Sequence, residues 1–363
     1  MKSRTVVAIS IGIFLIIVQL MQSCKKETVT VVITDIEKQL EYIAPPAMDI
    51  IVPDGFPPIE VPDDNPFSEA GIQLGRNLFY DNNLRCTSCH QQIQSFTITG
   101  NIPVTVNGKS YQRNPMPFVN LAWVQGFAWD GRSLTLEEKI IESIVESVGI
   151  PYETLITNLQ SSTQADYDKL FTSAFGSNEI TSIKINKALA QFLRTMIAAN
   201  SPAQKHLRGE LTALSQLEQD GFDIFTSETG NCSHCHLHSN QLFTDNTFRN
   251  NGIDSVNNVS DFSDYGHGEV TGVDFDNGKF RSVTLVNIAL TAPYMHDSRF
   301  QTLEEVIEHY NTGGKFSPNV DNVINESGNG LNLTQYQKDA LLAYLESMTD
   351  ISFVADTSFS TPF

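Results

Sequence analysis

Cys86-Thr87-Ser88-Cys89-His90 and Cys232-Ser233-His234-Cys235-His236 repeat one pattern, C-x-x-C-H, in the two halves of the chain. Two thiols one turn apart can form thioethers with the two vinyl groups of one porphyrin. The adjacent histidine then directs its imidazole at the iron. A redox dithiol would want a strand before the pattern and has no use for the histidine, and a zinc site would gather four ligands in one cluster. The two patterns use four of the five cysteines. The reading is two covalently bound c-type haems, attached at Cys86, Cys89, Cys232 and Cys235, with His90 and His236 as proximal iron ligands.

Each pattern follows an amphipathic segment. Leu74, Leu78 and Phe79 share a face before Cys86; Leu217, Phe222, Ile224 and Phe225 do so before Cys232. Each half also closes on a helix. Ile185, Leu189, Phe192, Leu193 and Met196 recur at helical spacing, as do Tyr336, Leu341, Leu342 and Leu345 after an N-cap in Asn332 or Thr334. Long strand-like alternation is scarce. The expected fold is all-α, two cytochrome c-like haem domains in tandem over residues 66–200 and 201–355, joined near Asn200-Ser201-Pro202.

The fifth cysteine belongs to the leader. Lys2 and Arg4 precede an apolar run from Val6 to Met21, which ends at Ser23-Cys24. The run is short for a spanning helix, which needs about twenty apolar residues. Residues 1–24 read as a lipoprotein-type signal, with Cys24 as the acylated residue and an uncleaved anchor as the alternative. Either puts the body outside the cytoplasm, on the periplasmic side. Residues 25–65 carry six prolines, Pro45, Pro46, Pro53, Pro57, Pro58 and Pro62, with Pro66 just beyond, and read as an extended tether. A net charge of −19 argues against nucleic acid as a partner. It permits steering of a basic redox partner, or serves solubility alone.

Beyond the haem patterns, Leu74-Gly75-Arg76-Asn77-Leu78-Phe79-Tyr80, Arg113-Asn114-Pro115, Trp129-Asp130-Gly131-Arg132, Leu136-Glu137-Glu138 and Thr291-Ala292-Pro293-Tyr294-Met295-His296-Asp297 stand out. On these, over roughly residues 66–350, the chain resembles the bacterial dihaem cytochrome c peroxidase family, which includes the MauG branch. The resemblance implies that peroxide reacts at the N-terminal haem and that the C-terminal haem feeds it electrons from a small cytochrome or cupredoxin. It places Trp129 between the haems. It implies a calcium ion held by Asn114, Thr291 and Pro293 with waters, all oxygen donors as calcium prefers. It also implies a homodimer.

The chain departs from the family pattern in three places. Typical members close the first haem with a histidine from the loop after the first C-x-x-C-H, but Gln91 to Asn120 holds no histidine. That haem is expected to be open, with Met116 and Tyr111 as the alternative sixth ligands. Typical members give the second haem a methionine; alignment puts Tyr310 there, on one helix face with Leu303, Val306 and Ile307. A tyrosine at this position resembles the MauG branch, where a His–Tyr haem has a low potential. His309, Met295 and a plain packing role for Tyr310 are the alternatives. The family's distal glutamine and glutamate fall on Lys139 and Gly149. Lys139 can donate but is a poor base when charged, and Glu146 or Glu153 would have to stand in for the carboxylate. His296 is expected near the haem–haem or calcium region as a hydrogen-bonding residue; His206, His234, His238 and His267 receive no role.

The expected function is a cytochrome-c peroxidase-like oxidoreductase that reduces hydrogen peroxide to water, with Trp129, Lys139 and Glu146 as catalytic residues. The first alternative is a MauG-like, peroxide-dependent oxidase of a protein or other large substrate. The second is a non-enzymatic dihaem electron carrier.

Overall fold

Ser68 opens the helix Glu69–Tyr80: its hydroxyl accepts from the Gly71 amide, and Glu69 lies in the first turn, where the helix dipole favours an acid. Leu74, Leu78 and Phe79 bury one face of it. The computed structural model describes residues 47–98, 112–325 and 330–363. The leader, Cys24, the tether up to residue 46 and Tyr111 lie outside the described residues. Thr181 caps the partner helix Ser182–Arg194, which buries Ile185, Leu189, Phe192 and Leu193, with Met196 buried just beyond its end. The two helices cross at Gly75. A Cβ there would come within 2.0 Å of the Ala188 carbonyl oxygen and 2.8 Å of Phe192 Cβ, so only glycine allows the approach.

The second half repeats this joint. Helices Gln216–Thr226 and Gln335–Glu346 each begin with a capping box, Ser215 with Glu218 and Thr334 with Gln337. Gly221 meets the Ala340 carbonyl at 2.0 Å and Tyr344 Cβ at 2.8 Å. Gly75 and Gly221 each stand eleven residues before the first cysteine of their pattern, and Phe79 and Phe225 each seven. The apolar faces differ in part from the expectation. Thr334 and not Asn332 is the N-cap, and the buried face is Ala340, Leu341, Tyr344 and Leu345. Tyr336 is exposed with its hydroxyl donating to Asp220, and Leu217 is exposed as well. Both lie in first turns, outside the glycine crossing that decides which residues are covered.

Strand is confined to Phe248–Arg249 and Phe280–Arg281 among the described residues. They pair antiparallel, Phe248 opposite Arg281 and Arg249 opposite Phe280. The fold is otherwise helical, and one apolar core runs through both repeats. Three irregular segments tie them down. Residues 47–65 are extended, as their prolines require, but docked: Phe56 packs on Trp123 at 5.1 Å, and Trp123 Nε1 donates to the Pro57 carbonyl at 2.8 Å. The junction near residue 200 is fixed by Asp350, whose Oδ2 accepts from the amides of Ala199 (2.9 Å) and Asn200 (2.8 Å). After helix Ile351–Ala355 the chain returns to the first repeat, where Tyr80 donates to the Phe359 carbonyl at 2.6 Å and Arg76 Nε to that of Ser360 at 2.7 Å.

Candidate haem cavities

Each C-x-x-C-H segment leaves its helix through a residue in the left-handed region, Arg85 or Asn231, both at φ +55°, and enters a short 3-10 turn, Cys86–Ser88 or Cys232–His234. The histidine amides then donate to the first cysteine's carbonyl, His90 to Cys86 and His236 to Cys232, each at 3.0 Å. His90 Nδ1 lies 2.7 Å from the Phe96 carbonyl, and His236 Nδ1 lies 3.0 Å from that of Phe243. A carbonyl only accepts, so Nδ1 carries the proton and Nε2 keeps its lone pair for a metal. Phe96 and Phe243 are fully buried at φ +58° and +51°, a conformation bulky residues rarely adopt. Each is braced edge-on, by Phe79 at 5.9 Å and by Phe225 at 6.4 Å.

Burial pushes His90 down to about 4 and lowers His236, so both imidazoles are neutral at pH 7. Burial also pushes the Cys86 and Cys232 thiols up to about 12 and Cys235 to about 11. A redox C-x-x-C stabilises its thiolate; these sites do the opposite. All four cysteines are free. Among the described residues no group of three or more His, Cys, Asp or Glu stands close enough to hold a metal ion, which leaves the zinc reading without ligands.

Beside each histidine is a cavity. The first, of about 520 Å³, is lined by His90, Phe118, Trp129, Lys139, Glu142 and Glu146 among others. The second, of about 230 Å³, is lined by Cys232, Cys235, His236, Met295 and Tyr310 among others. Paired thiols, a neutral imidazole with a free Nε2 and a largely apolar cavity fit a covalently bound porphyrin at each place.

The first cavity has a charged side. Glu142 accepts from Ser133 Oγ at 2.8 Å and from Lys139 Nζ at 2.9 Å, with Arg132 Nη1 at 3.7 Å. Glu146 is exposed at the rim. It belongs to a π-helical turn, Ser143–Val148, that Gly149 ends at φ +69° by donating its amide to the Ile144 carbonyl at 3.1 Å. The place where the family pattern puts a glutamate is thus spent on a left-handed stop that suits glycine. Glu153 does not line the cavity. Glu142 escaped the sequence reading because counting from Trp129 runs past it. The available signal was its i,i+3 pairing with Lys139.

Trp129 and Asn114 line both cavities. The Trp129 indole donates to the Asn114 carbonyl at 2.7 Å. Asn114 Nδ2 donates to the Pro293 carbonyl at 2.5 Å, while Thr291 lines the second cavity and spends its hydroxyl on the Ile288 carbonyl at 3.0 Å. Two of the three expected calcium contributors therefore touch, and the amide now faces the carbonyl with its nitrogen. His296, 5% exposed, stacks on Phe280 at 3.6 Å, lies edge-on to Trp129 at 6.5 Å, and accepts at its carbonyl from the Asn114 amide. Around this wall Arg113 forks onto Asp264 (2.6 and 2.8 Å) and reaches Asp130 at 2.5 Å, and Asp130 also takes Arg132. The guanidinium contacts hold both carboxyls below the usual range against burial, which pushes the other way.

In the second cavity Asn251 Nδ2 donates to the Tyr310 hydroxyl at 3.3 Å and to Met295 Sδ at 3.4 Å. Burial pushes Tyr310 up to about 12. His309 turns away: its Nε2 meets the Asn251 carbonyl at 3.0 Å, and it does not line the cavity. Of the sequence alternatives for this place, Tyr310 and Met295 face the cavity together. Met116, the described alternative for the first cavity, lines that cavity.

The family model described as di-haem cytochrome c peroxidase matches residues 69–212. The chain is 31% identical over 277 residues to the methylamine utilization protein MauG of Methylophilus methylotrophus, covering 73% of this chain and 78% of that one. It is 30% identical over 245 residues to cytochrome c551 peroxidase of Nitrosomonas europaea, covering 65% and 71%. The crystal structure of a MauG-like protein associated with microbial copper homeostasis matches with a TM-score of 0.75 at 31% identity, over 87% of this chain and 99% of that one.

Proposed function

We propose a function from one premise: the chain belongs to the di-haem cytochrome c peroxidase family, MauG-like members included. It is a peroxidase-type oxidoreductase with haem as its cofactor. The finer reading is two haem domains, residues 66–200 and 201–355, with peroxide reduced to water in the first cavity and electrons from a small cytochrome or cupredoxin entering at the second. Bound haem iron supplies cleavage of the peroxide O–O bond at one centre and electron storage at the other. The chain's own residues do the rest.

His90 and His236 present neutral Nε2 atoms whose direction is fixed by the Phe96 and Phe243 carbonyls. Glu142 shares the His90 cavity, where a carboxylate can take a proton from the near oxygen of peroxide and return it to the far one. Lys139 steadies Glu142 and offers a donor to developing negative charge. Glu146 exchanges protons at the rim. Trp129 borders both cavities and offers the electron an aromatic step between them. At the second centre Tyr310 would hold the haem iron, where a phenolate would supply a hard anionic donor that favours oxidised iron. Asn114, Thr291 and Pro293 could hold calcium once the Asn114 amide turns its oxygen toward the ion. The localisation reading stands with these: export, an anchor through Cys24, and pairing into a homodimer.

One observation carries the assignment: Trp129 separates a cavity with a charged side from one that a phenol and a thioether close. The oxidation of a large substrate is the second reading, favoured by Tyr310 and by the lack of histidine between Gln91 and Asn120. Low-temperature EPR of the diferric protein, before and after one equivalent of hydrogen peroxide, tests the proposal. We expect one high-spin signal that peroxide removes and one low-spin signal. Two low-spin signals untouched by peroxide, also after one haem is reduced, would leave an electron carrier.

A further inference from the structure

We infer that Arg281 is an anion anchor in the wall between the two cavities, binding porphyrin carboxylates and setting the reduction potentials of both haems together. The inference rests on haem occupying both cavities. Arg281 is 6% exposed, and its Nε and Nη1 have no hydrogen-bond partner among the described residues. Among the described residues its one side-chain hydrogen bond is weak, Nη2 donating to Met116 Sδ at 3.5 Å. Yet a guanidinium cannot shed its proton, and burying it without an anion is strongly unfavourable. Nearby acids do not serve: Asp130 is taken by Arg113 and Arg132, and Asp264 by Arg113.

The backbone fixes the residue at this place. It sits on the two-residue strand opposite Phe248, and its amide donates to the Trp129 carbonyl at 2.9 Å. It lines both cavities. The missing partner must therefore be planar, anionic and present in the cavities. A porphyrin's carboxylates match the guanidinium fork in shape and charge. The thiols and imidazoles would hold the macrocycle; among the described residues Arg281 is the one charged residue that lines both cavities. A fixed positive charge in a wall shared by both cavities would favour the reduced state of an iron bound in either, and so would raise both potentials.

The test compares the parent with Arg281→Gln and Arg281→Lys, each counted for haem by pyridine haemochrome and titrated by spectroelectrochemistry. A parent with fewer than two haems would sink the haem reading itself, separately from this inference. With two haems, Arg281→Gln should lower both potentials, while Arg281→Lys, which keeps the charge and loses the fork, should restore them toward the parent with unchanged axial-ligand spectra. Unchanged potentials in Arg281→Gln, or a shift at one haem alone, would overturn it. So would a lysine variant that departs from the parent as far as the glutamine variant does.

Discussion

Around His90 and around His236 the chain repeats one set of contacts: a glycine crossing eleven residues before the first cysteine, a left-handed entry, a histidine held by a carbonyl, and a phenylalanine braced edge-on. The sameness stops at the far walls of the cavities. The first takes Lys139, Glu142 and Glu146 from one helical segment; the second takes Met295 and Tyr310 under Asn251. The repeated contacts are thus local, whereas the far walls come from segments distant along the chain. On the proposed function, this is how two near-identical segments would serve unlike tasks.

The sharpest way to break this comparison is to delete one attachment site at a time. Cys86→Ala with Cys89→Ala should leave one haem by pyridine haemochrome and abolish the peroxide response in EPR. Cys232→Ala with Cys235→Ala should also leave one haem but keep a peroxide-responsive high-spin centre. If the two variants behave alike, the division of labour is wrong. Next, Glu142→Gln should slow the stopped-flow reaction with peroxide about 100-fold, the low end of general acid–base assistance, while Glu153→Gln leaves it unchanged. Tyr310→Phe should alter only the low-spin signal of the second haem; an unaltered spectrum removes Tyr310 as ligand.

Smaller effects probe what the halves share. Gly75→Ala and Gly221→Ala should each cost about 1–3 kcal/mol in urea denaturation, because each new Cβ meets a backbone carbonyl that cannot move alone. Strongly unequal costs would deny that the two crossings are equivalent. The smallest effect concerns the wall. Asp130 and Asp264 titrate below the ordinary 3.8 in the folded chain. Their contribution is present above that pH and is lost as pH falls through the lowered values. Asp264→Asn should therefore cost about 1–2 kcal/mol at pH 7 and reduce the further loss seen on going to pH 3.

The two histidine-bearing turns were legible because each is a five-residue pattern, and the helices around them because their apolar spacing is local. Tyr310 was legible through its helix face. What the sequence hid depends on distant partners. Gly75 looks like any glycine until Ala188 is brought against it, and Arg281 like any surface cation until its burial is known. Glu142 lay between two positions that the family pattern named. Leu217 and Tyr336 misled for the converse reason: they have the right period, but no neighbouring helix reaches them.

One feature of the first repeat bears on how the molecule is made. Phe353 and Phe359 close over Phe96, at 5.8 and 6.4 Å between ring centres, and the Phe96 carbonyl orients His90. A chain grows from its N-terminus, so Cys86 and Cys89 emerge long before those two rings exist. Until residues 353–359 are made, Phe96 lacks two of the rings that pack on it, so the support of the His90 carbonyl partner is completed from the far end of the chain.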